Sequence, residues 1–513
     1  MGRTLLRFCA LLCACTGCDA YTQEPGMVDE ASLLQIDLSF SHQSPELIDT
    51  TAAQPHYWPT VRGPADQHSI TRFPFPAENL TASLAWSKAF GTDLLWSSLI
   101  DNQKNIYVSG TTALTKLGPD GRTLWSSPSQ SVTAVLMGKA ICSQTMIPGR
   151  SVYCLSARTG HLFWRKQVYP VTGVGGNMIV GHNGVLLVAA GLYWVEGLTM
   201  LTGQANDRVI GLNASTGENL WDFKVNCGLW MLMGLFPDED TTVFMDQCGG
   251  MYRLGLYNGS LLWYTAGEPG TLSDGGAILG PDGSAYGCSM APGTTLVDNN
   301  NPHAHGLLRK LRLSDGLVLW ATETPYPCTN IPAVSINNDF VVVAPGAIPP
   351  VDGPYFYFKD AILKMNSQDR RAFHRSHEEL ARNGALRSHY NMTNLTGAIM
   401  AFDAHTGEVQ WRHELKPYGG ITSAGDQKRN WDAFIAHEAF LPHCGPPHFS
   451  AVTLDEDGHV YIGDSTGEFR VYNPKTDVES TLHIEDGFMA PGAAFAPGMM
   501  VVTTCQSVKV FKS

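Results

Sequence analysis

The chain has 513 residues, 44% of them apolar and only 16% charged, with 52 glycines. That length holds several ordinary domains or one large one, and low charge with abundant glycine suits a turn-rich all-β protein. A net charge of −13 argues against non-specific binding to nucleic acid, and after residue 20 there is no apolar run approaching the roughly 18 residues of a membrane-spanning helix.

Residues 1–20 read as an export signal: Arg3 and Arg7 lead an apolar stretch too short to cross a bilayer. Two endings stay open. Cys15-Thr16-Gly17-Cys18 is an imperfect bacterial lipobox that would anchor a lipid on Cys18, whereas Cys18-Asp19-Ala20 is an ordinary small-residue cleavage site. Residues 21–56 are poorly patterned and are expected to form a leader of little order. The stretch HYWPTVRG follows at 56–63, and Trp86 ends a strand with no hairpin before it.

From there one phrase recurs. ALTKLGPDGRTLW ends at Trp125, VYCLSARTGHLFW at Trp164, VIGLNASTGENLW at Trp221, MYRLGLYNGSLLW at Trp263 and LLRKLRLSDGLVLW at Trp320. GAIMAFDAHTGEVQW ends at Trp411. Each copy alternates apolar and polar residues, turns on a glycine and alternates again, which is a hairpin signature. The glycines (Gly121, Gly160, Gly217, Gly259, Gly316 and Gly407) fit a turn position of positive φ. The tryptophan always falls four residues later, so a large ring stands at one place in every repeat and is expected to dock repeat on repeat. A base period of roughly 40 residues matches a four-stranded propeller blade.

This phrase resembles the repeat of the quinoprotein-dehydrogenase family, the PQQ-like repeat: an apolar strand, Ala-x-Asp-x-x-Thr-Gly, three residues and Trp. Residues 397–411 match it nearly completely, with Asp403, Thr406, Gly407 and Trp411 in place. HYWPTVRG resembles the opening of many such chains. The resemblance covers residues 57–513 and implies an eight-bladed all-β propeller docked through Trp86, Trp125, Trp164, Trp221, Trp263, Trp320 and Trp411. The strand around Trp86 is expected to complete the blade that ends the chain. Blade seven lacks the terminal tryptophan, with Asp477-Val478 there instead.

Insertions break the rhythm at about 190–207, 291–305 and 347–396. The last contains a polar, Arg-rich helical stretch at 368–387 with Phe373, Leu380 and Leu386 as a thin apolar stripe, read as a solvated rim helix. The connection 416–449 carries Trp431-Asp432, then His437, Glu438, His443, Cys444 and His448. The spacing of these histidines fits no metal motif, so a loop with scattered histidines is the expectation.

Family dehydrogenases bind pyrroloquinoline quinone and Ca²⁺, which the resemblance brings here only with their site. Asn430-Trp431-Asp432 and Cys444-Gly445-Pro446 look like a drifted version of it, with Trp431 as aromatic floor and Asp432 as base, the alternative being a blade-docking aromatic and a turn aspartate. Lys428-Arg429 replace the acidic lead-in, and no Cys-Cys dipeptide occurs. Two readings follow. One is an exported propeller serving as a non-catalytic scaffold for an unidentified protein or small-molecule partner. The other is a divergent PQQ-dependent alcohol dehydrogenase using the quinone and Ca²⁺.

Twelve cysteines occur, four of them in the signal. An even remainder in an exported protein points to disulfides, with Cys142–Cys154 and Cys227–Cys248 as the candidate pairs. Five sequons, at Asn79, Asn213, Asn258, Asn391 and Asn394, are candidate glycosylation sites. They favour eukaryotic secretion over a bacterial lipoprotein.

Overall fold

The computed structural model describes residues 55–64, 69–75, 80–94, 96–131, 133–145, 151–168, 179–191, 206–229, 232, 234–291, 305–328, 330–347, 361, 363–383, 385–390, 393–420, 423–426, 431–432, 435–436, 451–464, 466–484, 487 and 492–513. The signal and the leader 21–54 lie outside these, as do Asn79, Asn391, Asn430, His437, Glu438, His443, Cys444 and His448.

Eight antiparallel sheets form the ring of an eight-bladed propeller. Blade one runs from Leu99–Ile100 through Ile106–Ser109 and Leu114–Leu117 to Thr123–Ser127. The inner strands are buried throughout and the outermost alternates, which is why each repeat reads as solid apolar runs followed by an alternating one. Blades two, three, five and six repeat the order. In blade four three strands form a ladder, and the innermost position is held by the Leu235–Val243 bridge.

The repeat's turn is explained by blade six. The Asp403 carboxylate accepts from the backbone N–H groups of His405 and Thr406, both at 2.8 Å, and Gly407 completes the turn at φ +76°. Each tryptophan then donates its indole N–H to the next blade. Trp86 reaches the Pro119 carbonyl, Trp125 Ala157, Trp164 Ala214, Trp221 Leu256, Trp263 Leu313 and Trp320 Ala404, at 2.7–3.3 Å. At two blade junctions the same carbonyl takes three donors. Ala157 O accepts from Tyr107, Lys116 and Trp125, and Ala404 O from Tyr286, Lys310 and Trp320. Trp411 packs on Tyr472 at 5.6 Å, as Trp125 packs on Tyr107 and Trp320 on Tyr286, but the turn it faces differs. Asp477 occupies the turn glycine's place there at φ +55°, not the missing tryptophan's as the sequence suggested. That position belongs to Thr481, opposite Arg470, where blade six has Trp411 opposite Ala401.

Leu84–Ala89 pairs with Ser507–Lys512, Leu84 opposite Phe511, so the two ends of the propeller share one sheet and blade eight closes the ring. Before that strand, residues 55–64 and 69–75 pack against the innermost strands of the ring. Trp58 pairs with Ile100 on the free edge of blade one's innermost strand, and Pro59 O accepts from Leu136 N in blade two. Ile70–Thr71 then adds a parallel fifth strand inside blade seven, Ile70 opposite Leu454. The opening segment thus crosses the channel from blades one and two to blade seven.

Candidate functional site

Because strands alternate in direction, the two faces of the ring carry different connections. Turns between first and second and between third and fourth strands share one face, as the Ala157 N–H bond to Lys139 O and the Ala404 N–H bond to Asp339 O show. The tryptophan pins gather there. The other face carries the links between second and third strands and between blades, tied by Ser131 N–H to Gly110 O and Ser273 N–H to Gln247 O. All three insertions and the 416–449 connection leave from and return to strand ends on this second face. Elaboration confined to one mouth of a rigid ring marks the candidate site.

The third insertion builds a helix, Ser367–Arg382. Asn366 caps it: Oδ1 accepts from the N–H groups of Gln368 and Asp369 at 2.8 and 2.9 Å, and Nδ2 donates back to the Asp369 carboxylate at 2.7 Å. The helix is not a free rim element. Phe373, His374 and His377 share one face at helical spacing, and all three rings stack near-parallel on Trp431 at centroid separations of 5.8–6.4 Å. His374 Nε2 lies 3.2 Å from Asp432 Oδ1. His377 Nδ1 lies 2.8 Å from the Phe373 carbonyl, which only accepts, so Nδ1 carries the hydrogen and Nε2 accepts from the Tyr390 hydroxyl. Burial holds His377 below its ordinary pKa, with His389 adding to the effect. The buried Arg387 fastens the insertion below the helix, donating to Thr393 O and, through its backbone, to Gly419 O.

The structure therefore brings the candidate floor and base together, but covered. Trp431 is 1% exposed, so it offers no open ring to a planar quinone, and the Asp432 carboxylate is engaged by His374. These residues do not fit the quinone site implied by the resemblance. Among the described residues two groups offer converging metal-type ligands. Cys227, Asp246 and Cys248 include a disulfide. Asp455, Asp457 and His459 form a turn on the opposite face, where the Asp455 oxygens accept from Asp457 N, His459 N, His459 Nδ1 and the Tyr461 hydroxyl.

Cys142 and Cys154 form a disulfide between directly paired strands of blade two. Cys227–Cys248 joins two connections of blade four on the elaborated face. Cys288–Cys328 ties the second strand of blade five to the link into blade six, a pairing with no signal in the sequence spacing. Cys505 is disulfide-bonded as well. These bonds fit an oxidising, extracellular or periplasmic setting. Among the sequons, Asn213 Oδ1 caps its turn through the N–H groups of Ser215 and Thr216, in the role Asp403 has in blade six. Asn258 does the same for Ser260 and is exposed, and Asn394 is half-buried. No helix among the described residues is long and apolar enough to cross a membrane.

The family described as outer membrane protein assembly factor BamB matches residues 148–346. No curated protein matches the sequence. The crystal structure of BamB from Moraxella catarrhalis is similar at TM-score 0.50 and 14% identity, covering 84% of this chain and 97% of that one. The quinohemoprotein alcohol dehydrogenase from Comamonas testosteroni is similar at TM-score 0.59 and 12% identity, covering 90% and 81%. A europium-containing methanol dehydrogenase is similar at TM-score 0.56 and 11% identity, covering 90% and 99%. At such identities the likeness is one of fold.

Proposed function

We propose that this PQQ-like propeller is an exported binding scaffold that offers its elaborated face to a protein partner and does not oxidise alcohols. The observation that carries the reading is the closure of Trp431 beneath the Ser367–Arg382 helix. An insertion that spends its aromatic face on the one candidate cofactor floor leaves its outer side, with Arg371 and Arg375 exposed, for other contacts. The assembly-factor family matched over 148–346 supports a protein-binding role. The disulfides and the signal-like first 20 residues support export, by secretion or with a lipid on Cys18.

Catalysis on a quinone would need a base beside the reacting carbon, a cation on its oxygen and an open ring beneath, all in fixed geometry. Absorbance titration of the purified protein with pyrroloquinoline quinone and Ca²⁺ tests the reading. The expected result is no saturable spectral change. Stoichiometric binding that Trp431→Leu abolishes would return the dehydrogenase reading to first place.

A further inference from the structure

The segment that crosses the channel concentrates unmet hydrogen-bonding capacity. His56 Nδ1, Trp58 Nε1 and Arg62 Nε are buried and have no partner among the described residues. Buried polar groups in folded proteins are nearly always satisfied, so a cluster within a few residues asks what satisfies it.

Arg62 is the sharpest case. Its side chain is 2% exposed. Nη2 donates to Ser69 Oγ, to the Pro332 carbonyl at 3.1 Å and to the Val452 carbonyl at 3.3 Å. Those carbonyls immediately precede the innermost strands of blades six and seven, so the guanidinium is clamped at the mouth of the channel on the elaborated face. Carbonyls orient a cation without neutralising it. Among the described residues no carboxylate comes within ion-pairing distance, and burial alone lowers the guanidinium pKa, to about 9, which leaves it charged at neutral pH. Removing an unpaired charge from water costs several kcal/mol even after relaxation. Three other buried cations pair with an acid, Lys116 with Asp101, Lys310 with Asp282 and Arg470 with Asp464. Arg309 is held by the Ala266 and Gly249 carbonyls, and burial lowers its pKa while Glu268 and Asp246 are near enough to push it back up, whereas burial is the one influence on Arg62.

We propose that Arg62 anchors a binding site for a small oxyanion at this channel mouth. The ligand presents a carboxylate or phosphate oxygen to the Nε–H, because a guanidinium held through Nη2 keeps that edge for charge-assisted donation. Trp58 Nε1 is a donor only and adds a second demand for an acceptor on the same segment. The site does not depend on the scaffold reading, since it lies on the channel segment and not on the Trp431 cover.

The test is calorimetric and thermal titration of the full-length protein with inorganic phosphate and, separately, with acetate, ionic strength held constant with chloride. One of the two should bind saturably and raise the melting midpoint, and the arm that responds tells phosphate from carboxylate. Arg62→Gln should abolish the response, and Arg62→Lys, which keeps the charge but loses the Nε–H, should weaken binding by roughly tenfold or more. If Arg62→Gln does not fold, Arg62→Lys and the parent titration decide. No saturable response to either anion in the parent would overturn the site, as would a variant that titrates like the parent.

Discussion

The indole of Trp320 lies against Gly407 of the next blade so closely that a Cβ on that glycine would stand 2.8 Å from the ring. The same contact joins Trp86 to Gly121, Trp125 to Gly160, Trp164 to Gly217, Trp221 to Gly259 and Trp263 to Gly316. The two most regular residues of the repeat are thus the two sides of one blade-to-blade contact. The glycine is constrained twice, by its left-handed backbone and by the ring above it.

The double constraint separates two kinds of glycine. Gly283 has nearly the same φ, +75° against +76°, but nothing within 4 Å of its would-be Cβ. Gly283→Ala should cost only the left-handed backbone penalty, about 1–2 kcal/mol. Gly407→Ala should cost a further ~1–3 kcal/mol from overpacking. Urea unfolding of both variants checks this, and equal midpoints would remove the ring contact as a cause.

This contact is also why so much of the fold was legible. Gly and Trp four residues apart mark a hairpin and its docking ring together, so repeat, blade and ring follow from one pattern. What the pattern does not encode was not legible. Residues 56–75 have no period, and nothing local says that they run through the channel. Phe373, His374 and His377 stand about 55 residues from Trp431, and only their helical spacing signals a common face. The stripe read there, Phe373, Leu380 and Leu386, held one of the three rings that meet Trp431 and left out His374 and His377. Trp411 looked like its counterparts until Asp477 proved to hold the glycine's place.

The tryptophans should therefore differ in weight. Trp221 is 8% exposed and donates to Leu256 O at 2.7 Å. Trp221→Ala is expected to cost about 3–5 kcal/mol. Trp411→Ala, at a half-buried site, should cost clearly less. Denaturant midpoints that rank the pair the other way would show that the blade six–seven contact carries more than its packing suggests.

Blade seven replaces the missing glycine contact with charge. His413 Nε2 lies 2.7 Å from Glu479, and Arg470 donates to the other Glu479 oxygen at 2.8 Å. Burial pushes the Glu479 carboxyl up, but Arg470, Thr481 and His413 outweigh it and hold it below its ordinary value of 4.5. A depressed folded pKa stabilises the fold above the unfolded pKa, and this contribution is lost as pH falls through the folded one. Stability should therefore drop below about pH 4.5, and Glu479→Gln should flatten that part of the profile. Parallel acid limbs in parent and variant would refute the assignment.

The disulfides should also differ in weight. Cys288–Cys328 closes a separation of 40 residues and Cys142–Cys154 one of 12. On loop entropy alone the longer loop gains roughly 1 kcal/mol more. Peptide mapping should recover both linkages, and the Cys288→Ser/Cys328→Ser variant should melt below the Cys142→Ser/Cys154→Ser variant. Free thiols at these positions in the folded protein would contradict the pairing.

The last prediction concerns Asp432. In a dehydrogenase it would be the base, and Asp432→Asn would remove turnover without loosening the loop. In the scaffold its work is to hold His374, and through it the helix that covers Trp431. Its side chain is 42% exposed, so this contact contributes modestly, and the effect should be local. Dye-linked alcohol oxidation after incubation with the quinone and Ca²⁺ should give no turnover in parent or variant. Hydrogen exchange across 367–382 should quicken in Asp432→Asn while the blade strands stay protected, because a lost tether opens the insertion and leaves the ring intact. Turnover in the parent that vanishes in Asp432→Asn, with exchange unchanged, would make Asp432 a catalytic base and sink the scaffold reading.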